Sequence, residues 1–266
     1  MYSDEHLKYL KKIKKTSILV KFVQILILLI FILTWQILAD THVINTFISS
    51  SPKEVIKTIV DLYKTNNLFN HIFITLYETI VSFLIGTILG IVIATILWWN
   101  KFIAKVIDPY LTILNSLPKV ALGPIIIIWV GAKMSSIILM ALFISTIITI
   151  INVYQGFIET DINKIKLMKS LNSKIHQIYF KLVLPSSFPN IISALKINIS
   201  MSFIGVIMGE FLVSKEGIGF LIMYGSQVFN LNLVITGIFI LSILSAIMYY
   251  LIVFIENKIN TKRSEN

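Results

Sequence analysis

Two carboxylates, Glu78 and Glu210, sit inside long apolar runs. An ionised side chain is expensive there and is kept only where it faces a bundle interior or a water-filled cavity. Such a group can line or gate a path, or it can be a paired structural carboxylate, and the sequence leaves both readings open. Glu210, in Met208-Gly209-Glu210-Phe211, lies close enough to a span end for its side chain to snorkel toward water. Pro109, Pro118 and Gly123-Pro124 each disturb helix hydrogen bonding along one apolar stretch. Broken helices inside membranes survive where protein or a cavity pairs the freed backbone. Asn115, Ser116 and Pro118 are therefore candidates, with Glu210, for lining a translocation path, and a simple kink is the equal alternative. Other chemistry lacks its parts. There is no cysteine, and the four histidines (His6, His42, His71, His176) have no ligand spacing, so a metal site is not expected. No nucleophile–base constellation is visible, which speaks against a membrane-embedded enzyme. The Gly-x4-Gly-Lys-Ser/Thr phosphate loop is missing, so this chain is not itself an ATP-driven motor.

The elements that must position these residues follow from composition. The 266 residues are 56% hydrophobic and 14% charged, against about a quarter charged in a soluble domain. Too few polar groups remain to clothe a water-exposed surface, so the bilayer is the main solvent. Near-continuous apolar runs of about 20 residues or more imply helices, not alternating barrel strands. The expected fold class is an all-α membrane protein with about six transmembrane helices. The spans are Ile18–Ala39, His71–Leu97, Ile107–Val130, Ser135–Gly156, Phe188–Leu212 and Leu231–Ile255. The first is too long for a signal-peptide core, and no small-x-small cleavage site follows it, so it is expected to be retained.

The net charge of +10 is explained by basic residues holding loops on the anionic side of the membrane, not by nucleic acid, for which no basic module exists. With both termini cytoplasmic, sixteen of the 23 basic residues fall inside, from Lys8 through Lys21, at Lys101 and Lys105, from Lys164 through Lys181, and in the Lys258–Arg263 tail. The outward segment after span one holds Ser51-Pro52-Lys53-Glu54, a helix start with an N-cap serine, a first-turn proline and a capping-box glutamate. Val55, Ile56, Ile59, Val60 and Tyr63 then recur at helical spacing, as in an amphipathic helix on the outer membrane surface. Gly86, Gly90 and Ala94 permit close helix approach, inside one bundle or across a subunit interface.

The loop between spans four and five has about 30 residues, long enough to expect a function. Thr160 or Asp161 can cap a helix through Lys169, with Ile162, Ile165, Leu167 and Met168 as apolar contacts. Asn172 suits a left-handed helix end. Ser173 is then expected to cap a second helix that ends at Leu184-Pro185. Such a helix could dock a partner or lie on the membrane surface.

At these residues the chain resembles a family. Lys166-Leu167-Met168-Lys169-Ser170-Leu171-Asn172, followed by Leu184-Pro185, is similar to the signature loop of binding-protein-dependent ABC importer permeases, which reads Glu-Ala-Ala, three residues, Gly, then Leu-Pro. Ser51-Pro52, Asp108-Pro109, Ser116-Leu117-Pro118, Trp129-Val130-Gly131, Ala194-Leu195-Lys196 and Gly209-Glu210-Phe211 before Gly217-Ile218-Gly219-Phe220 resemble the nitrate/sulfonate/taurine branch. Lys166-Leu167-Met168 departs from Glu-Ala-Ala, Asn172 replaces the glycine, and Glu78 stands where a basic residue is frequent. The resemblance implies a type I ABC importer permease-like fold, with a permease core over 50–256 and a coupling loop over 157–187. It places short cytoplasmic segments at 1–17 and 257–266, and span one at 18–39. Its ATPase-coupling residues would be Lys166, Leu167, Met168, Ser170, Leu171, Asn172, Leu184 and Pro185. It further implies a permease homodimer in the cell membrane, cytoplasmic ABC ATPase subunits that hold ATP and Mg, and an extracellular binding protein or lipoprotein. No cofactor would be bound by this chain. The branch carries solutes such as nitrate, sulfonates, taurine and thiamine precursors. An ion-coupled secondary carrier is the competing class; it predicts inverted repeats and midplane ionisable residues, and no convincing repeat is found.

Overall fold

The structure is a computed structural model that describes residues 4–65 and 67–264, with side-chain surroundings for 12–65 and 67–258. The charge readings at Lys8, Lys11, Lys262 and Arg263 lie outside the described side chains. In chain order the helices are α1 Asp4–Asp40, α2 Thr46–Ser49, α3 Pro52–Lys64, α4 Leu68–Trp99, α5 Lys101–Ser116, α6 Gly123–Val130 and α7 Met134–Ile158. They continue with α8 Ile162–Ser170, α9 Ile175–Ile178, α10 Leu184–Ser186, α11 Phe188–Val213, α12 Ile218–Gln227 and α13 Leu231–Ser264. Five are long and apolar enough to cross a membrane, or six spans result if the bent α5–α6 pair counts as one. An apolar solvent leaves the chain little alternative, because each helix pairs its own backbone.

The core is a three-helix sandwich of α4, α7 and α11. It is built on close backbone approach: a Cβ on Gly90 would lie 2.5 Å from Thr149 Cγ2 of α7, and one on Gly209 would lie 2.8 Å from Ile137 Cγ2. Gly86 faces Ser145, and Ala94 is fully buried beside Val153 and Phe157. The small residues of α4 thus serve packing inside the bundle rather than an interface between subunits. In the absence of a hydrophobic drive between helices in lipid, such van der Waals contact is the main adhesive. Along the other flank, α12 and α13 close over Phe203, Ile218, Leu221 and Leu244. On the outside of α13, α3 packs through Ile59 and Leu62 while Val55 is buried. Its N-cap is Ser51, whose hydroxyl accepts from the Glu54 N–H at 3.2 Å. Ile56 and Tyr63, expected on the apolar face of this helix, are exposed.

The structure revises several boundaries. Helix α1 begins at Asp4, so most of the expected N-terminal segment belongs to the same helix as span one. It meets the rest near its C-terminal end, where Trp35 stacks on Phe239 (5.8 Å) and the Gln36 side chain accepts from the Lys53 N–H (3.1 Å). The third span starts at Lys101 and turns by 91° between α5 and α6. Of its three prolines only Pro118 sits at the bend. Pro109 is absorbed within α5, and Pro124 occupies the first turn of α6, where a missing N–H costs nothing. At 1.5 Å per residue the two pieces are roughly 24 and 12 Å long, so neither spans a bilayer alone. Helix α12 was not expected from the sequence.

Candidate functional site

The loop between α7 and α11 is a preformed, rigid element. The Asp161 carboxylate accepts from the Asn163 N–H at 2.8 Å and starts α8. Asn172 ends it in the left-handed conformation (φ 58). The Asn172 N–H bonds Lys169 O (2.9 Å) and the Ser173 N–H bonds Met168 O (3.1 Å), a complete Schellman closure. Ser173 does not cap the next helix. That place belongs to Lys174, whose N–H donates to Gln177 Oε1 at 2.8 Å. Between α9 and α10 the chain opens into a π turn, Tyr179–Val183, just ahead of Pro185, whose ring cannot donate to a regular helical ladder.

Side chains then fasten the loop to the bundle. Tyr179 is buried, its hydroxyl 2.7 Å from Thr95 Oγ1, its ring 5.5 Å from those of Trp98, Trp99 and Phe157. At the loop ends the Ser187 hydroxyl donates to Gly156 O (2.7 Å), and the Asn190 amide donates to Glu159 Oε2 (2.9 Å). The aromatic cluster was not foreseen: Tyr179 could only be read as another apolar residue of the loop.

Helix α8 presents two different faces. Leu167 and Leu171 are 61% and 68% exposed, whereas Ile165 and Met168 pack against the cluster of Phe157, Ile178 and Val183. Met168 is therefore turned away from any partner that docks on Leu167, a correction to grouping the two on one face. Consecutive helical positions diverge by about 100°. Lys166 and Ser170 are exposed, and Lys166 has no ion pair among the described residues. Leu184 is half-buried against the same cluster.

Glu78 and Glu210 lie near one another in the interior, each 1% exposed. Thr75 Oγ1 accepts from the Ile218 N–H (2.8 Å) and donates to Glu210 Oε1 (2.6 Å), while the Gly219 N–H donates to Glu210 Oε2 (2.5 Å). The Gly217 N–H donates to His71 Nδ1 at 2.9 Å. The carboxyl group of Glu210 thus fills the N-terminus of α12, where unpaired N–H groups and the helix dipole favour an acceptor. Gly217 has φ +104, and a Cβ on Gly219 would lie 2.7 Å from Glu210 Oε2, which accounts for the Gly-Ile-Gly spacing after Gly209-Glu210. Glu210 neither snorkels nor lines a surface of this protomer. It is the fastening of α12, and it leaves the path-lining set.

The other three path candidates lie together on the uncovered side. Asn115, Ser116 and Pro118 are exposed at the α5–α6 bend. Ser116 Oγ is turned back to Thr112 O (2.9 Å). Lys119 Nζ donates to Asn115 O (2.9 Å) and Asn115 Oδ1 (3.3 Å), which offsets the negative end of α5. Lys119 has no carboxylate partner among the described residues, in contrast to Lys196, whose ammonium lies 2.6 Å from Glu256 Oε2. Exposed Ile113, Leu117, Val120, Ile128 and Trp129 surround the bend.

The described residues form a helical membrane bundle with a rigidly presented loop helix and one broken span. Residues 86–261 match the family described as the binding-protein-dependent transport system inner membrane component, and the chain belongs to that family: it is a membrane-spanning permease subunit of an ABC importer. It is similar to the putative aliphatic sulfonates transport permease protein SsuC of Bacillus subtilis, with 26% identity covering 86% of this chain and 83% of the relative. It is also similar to the formylaminopyrimidine transport permease protein ThiX of Halalkalibacterium halodurans, with 25% identity covering 87% and 92%. Among solved structures, the MetNI methionine ABC transporter in an inward-facing form shares the fold, with TM-score 0.64 and 20% identity over 74% of this chain and 95% of that one. The chain is a transport subunit, not an enzyme. Membership implies separate subunits that hydrolyse ATP and a substrate-binding partner.

Proposed function

We propose that two copies of this chain form the translocation path of an importer for a small organic anion, and that α8 is the joint through which ATPase subunits drive it. The observation that carries the reading is the construction of the loop. Leu167 and Leu171 stand exposed on a helix whose opposite face, ends and base are all fastened to the bundle. An apolar ridge on a rigid support transmits force from a partner; a loose one would absorb it. Coupling requires contacts that differ between two global states, and the uncovered α5–α6 face is where a second copy would meet the first. ATP and Mg belong on the ATPase, and no cofactor on this chain. The bias of basic residues supports a cytoplasmic position for the termini and α8. Lys166 calls for a carboxylate in the ATPase groove. Leu184 and Pro185 support the loop from behind, and Ser170, Leu171 and Asn172 shape its end.

The solute is read as a sulfonate-like anion because Lys119, beside Asn115 and Ser116 at the bend, has no carboxylate partner among the described residues. A pyrimidine of the thiamine-precursor kind is the second reading, supported by the similarity to a formylaminopyrimidine permease. Replacing Leu167→Asp together with Leu171→Asp is expected to leave membrane insertion intact and to abolish co-purification with the ATPase and ATP-dependent uptake. Undiminished uptake by that variant would refute α8 as the joint.

A further inference from the structure

A cavity separate from the bend lies beneath α8, where the adjoining ends of α4, α5 and α7 meet the coupling loop. It encloses about 480 Å³, within the usual range for a bound small molecule. Its floor is apolar, formed by Phe157, Ile165 and Ile178. Trp98, Trp99 and Tyr154 stand at its walls, and Lys101 and Lys169 at its edge. The Thr160 side chain also lines it; that residue is 8% exposed and its hydroxyl finds no hydrogen-bond partner. A buried hydroxyl without a partner is a net cost to the fold, and a ligand acceptor would remove it.

Lys101 and Lys169 make no ion pair among the described residues. Of the nearby carboxylates, Asp161 caps α8, Glu159 accepts from Gln155 and Asn190, and Asp108 lies near Tyr154. Trp99, Ile158, Ile162 and Ile175 are exposed around the mouth, a wide apolar border continuous with the flank of the bundle. Aromatic rings beside lysines at the end of apolar spans mark a membrane interface on its anionic side.

We propose that this cavity is a binding site for an anionic phospholipid. The phosphate lies between Lys101 and Lys169 and accepts from Thr160, while the acyl chains leave over the apolar border into the bilayer. The inference goes beyond the transport reading and does not depend on the solute. It makes the lipid a wedge between α8 and the spans that α8 moves. An anionic headgroup satisfies all three polar groups at once, and only a lipid also covers the border.

The test uses the purified permease–ATPase complex in nanodiscs made from equal parts dioleoylphosphatidylglycerol and dioleoylphosphatidylcholine. The complex is washed with phosphatidylcholine-containing micelles, and retained lipid is counted by native mass spectrometry. The expected result is about one phosphatidylglycerol per permease copy, with phosphatidylcholine washed away. Lys101→Gln with Lys169→Gln should lower retention about twentyfold, and Lys101→Arg with Lys169→Arg should restore it. An unchanged elution volume and ATPase co-purification show that the glutamine variant is folded. Equal retention of both lipids, equal retention by the glutamine variant, or no retained lipid because the ATPase covers the cavity would each overturn the proposal. Release of the lipid by millimolar inorganic phosphate would overturn it too, in favour of a free-phosphate site.

Discussion

The α12 anchor and the α5–α6 bend are both interruptions of the helical bundle, and they are solved in opposite ways. At the anchor, every polar group that the interruption exposes is taken up inside the protomer. The N–H groups of Gly217, Ile218 and Gly219 go to His71, Thr75 and Glu210 respectively. At the bend, Asn115, Ser116 and Pro118 remain uncovered, and Lys119 returns only to Asn115. The first arrangement fixes a backbone; the second leaves polar groups on offer. Both satisfy the rule that irregular backbone at membrane depth must be buried in protein or line a cavity. The contrast puts an anchor at α12, and it supports the proposed passage along α5–α6.

The largest effect that tests this contrast is at the anchor. Glu210→Ala removes the acceptor for Thr75 and Gly219 and leaves them buried without one. A loss of about 3–5 kcal/mol is expected, seen as a fall in thermal stability and folded yield by fluorescence-detected size exclusion. A variant as stable as the wild type would dissolve the distinction between the two interruptions. The matching change at the bend, Lys119→Gln, should alter stability by less than about 0.5 kcal/mol. Uptake of an aliphatic sulfonate should nevertheless fall about tenfold or more through loss of a charge-assisted contact. If stability collapses and residual uptake per folded molecule is normal, Lys119 is only the cap of α5. The smallest effect concerns the coupling loop. Asn172→Gly relieves the left-handed conformation and should stabilise the end of α8 by about 0.5 kcal/mol, measured as a small rise in melting temperature. A loss of stability there would mean that the asparagine side chain holds the loop.

Much of the architecture was legible because the bilayer demands it. Apolar runs gave the long spans to within a few residues at most ends, and small residues at four-residue spacing gave the face of α4 that meets α7. The turn at Asn172 was legible since few residues adopt φ near 58 without strain. What stayed hidden depends on contacts between distant parts of the chain. Nothing local states that Glu78 and Glu210, 132 positions apart in sequence, share one buried site, so each had to be weighed alone. Three prolines in one span cannot say which of them bends it; surrounding packing decides for Pro118. Met168 and Leu167 look interchangeable in sequence until the body of the protein fixes which side of α8 is inward. Tyr179 carried no signal, since its partners Thr95, Trp98 and Phe157 come from two other helices.

The attachment of α1 has a consequence of another kind. Its 18-residue apolar window has no buried residue, its ties to the body lie near Trp35 and Gln36, and the family match begins only at residue 86. Over most of its length this helix answers to the thickness of the lipid rather than to neighbouring side chains. What that stretch supplies within this protomer is a length and a degree of oiliness. Exchange of that apolar stretch for another of equal length is expected to leave the packing of this protomer unchanged.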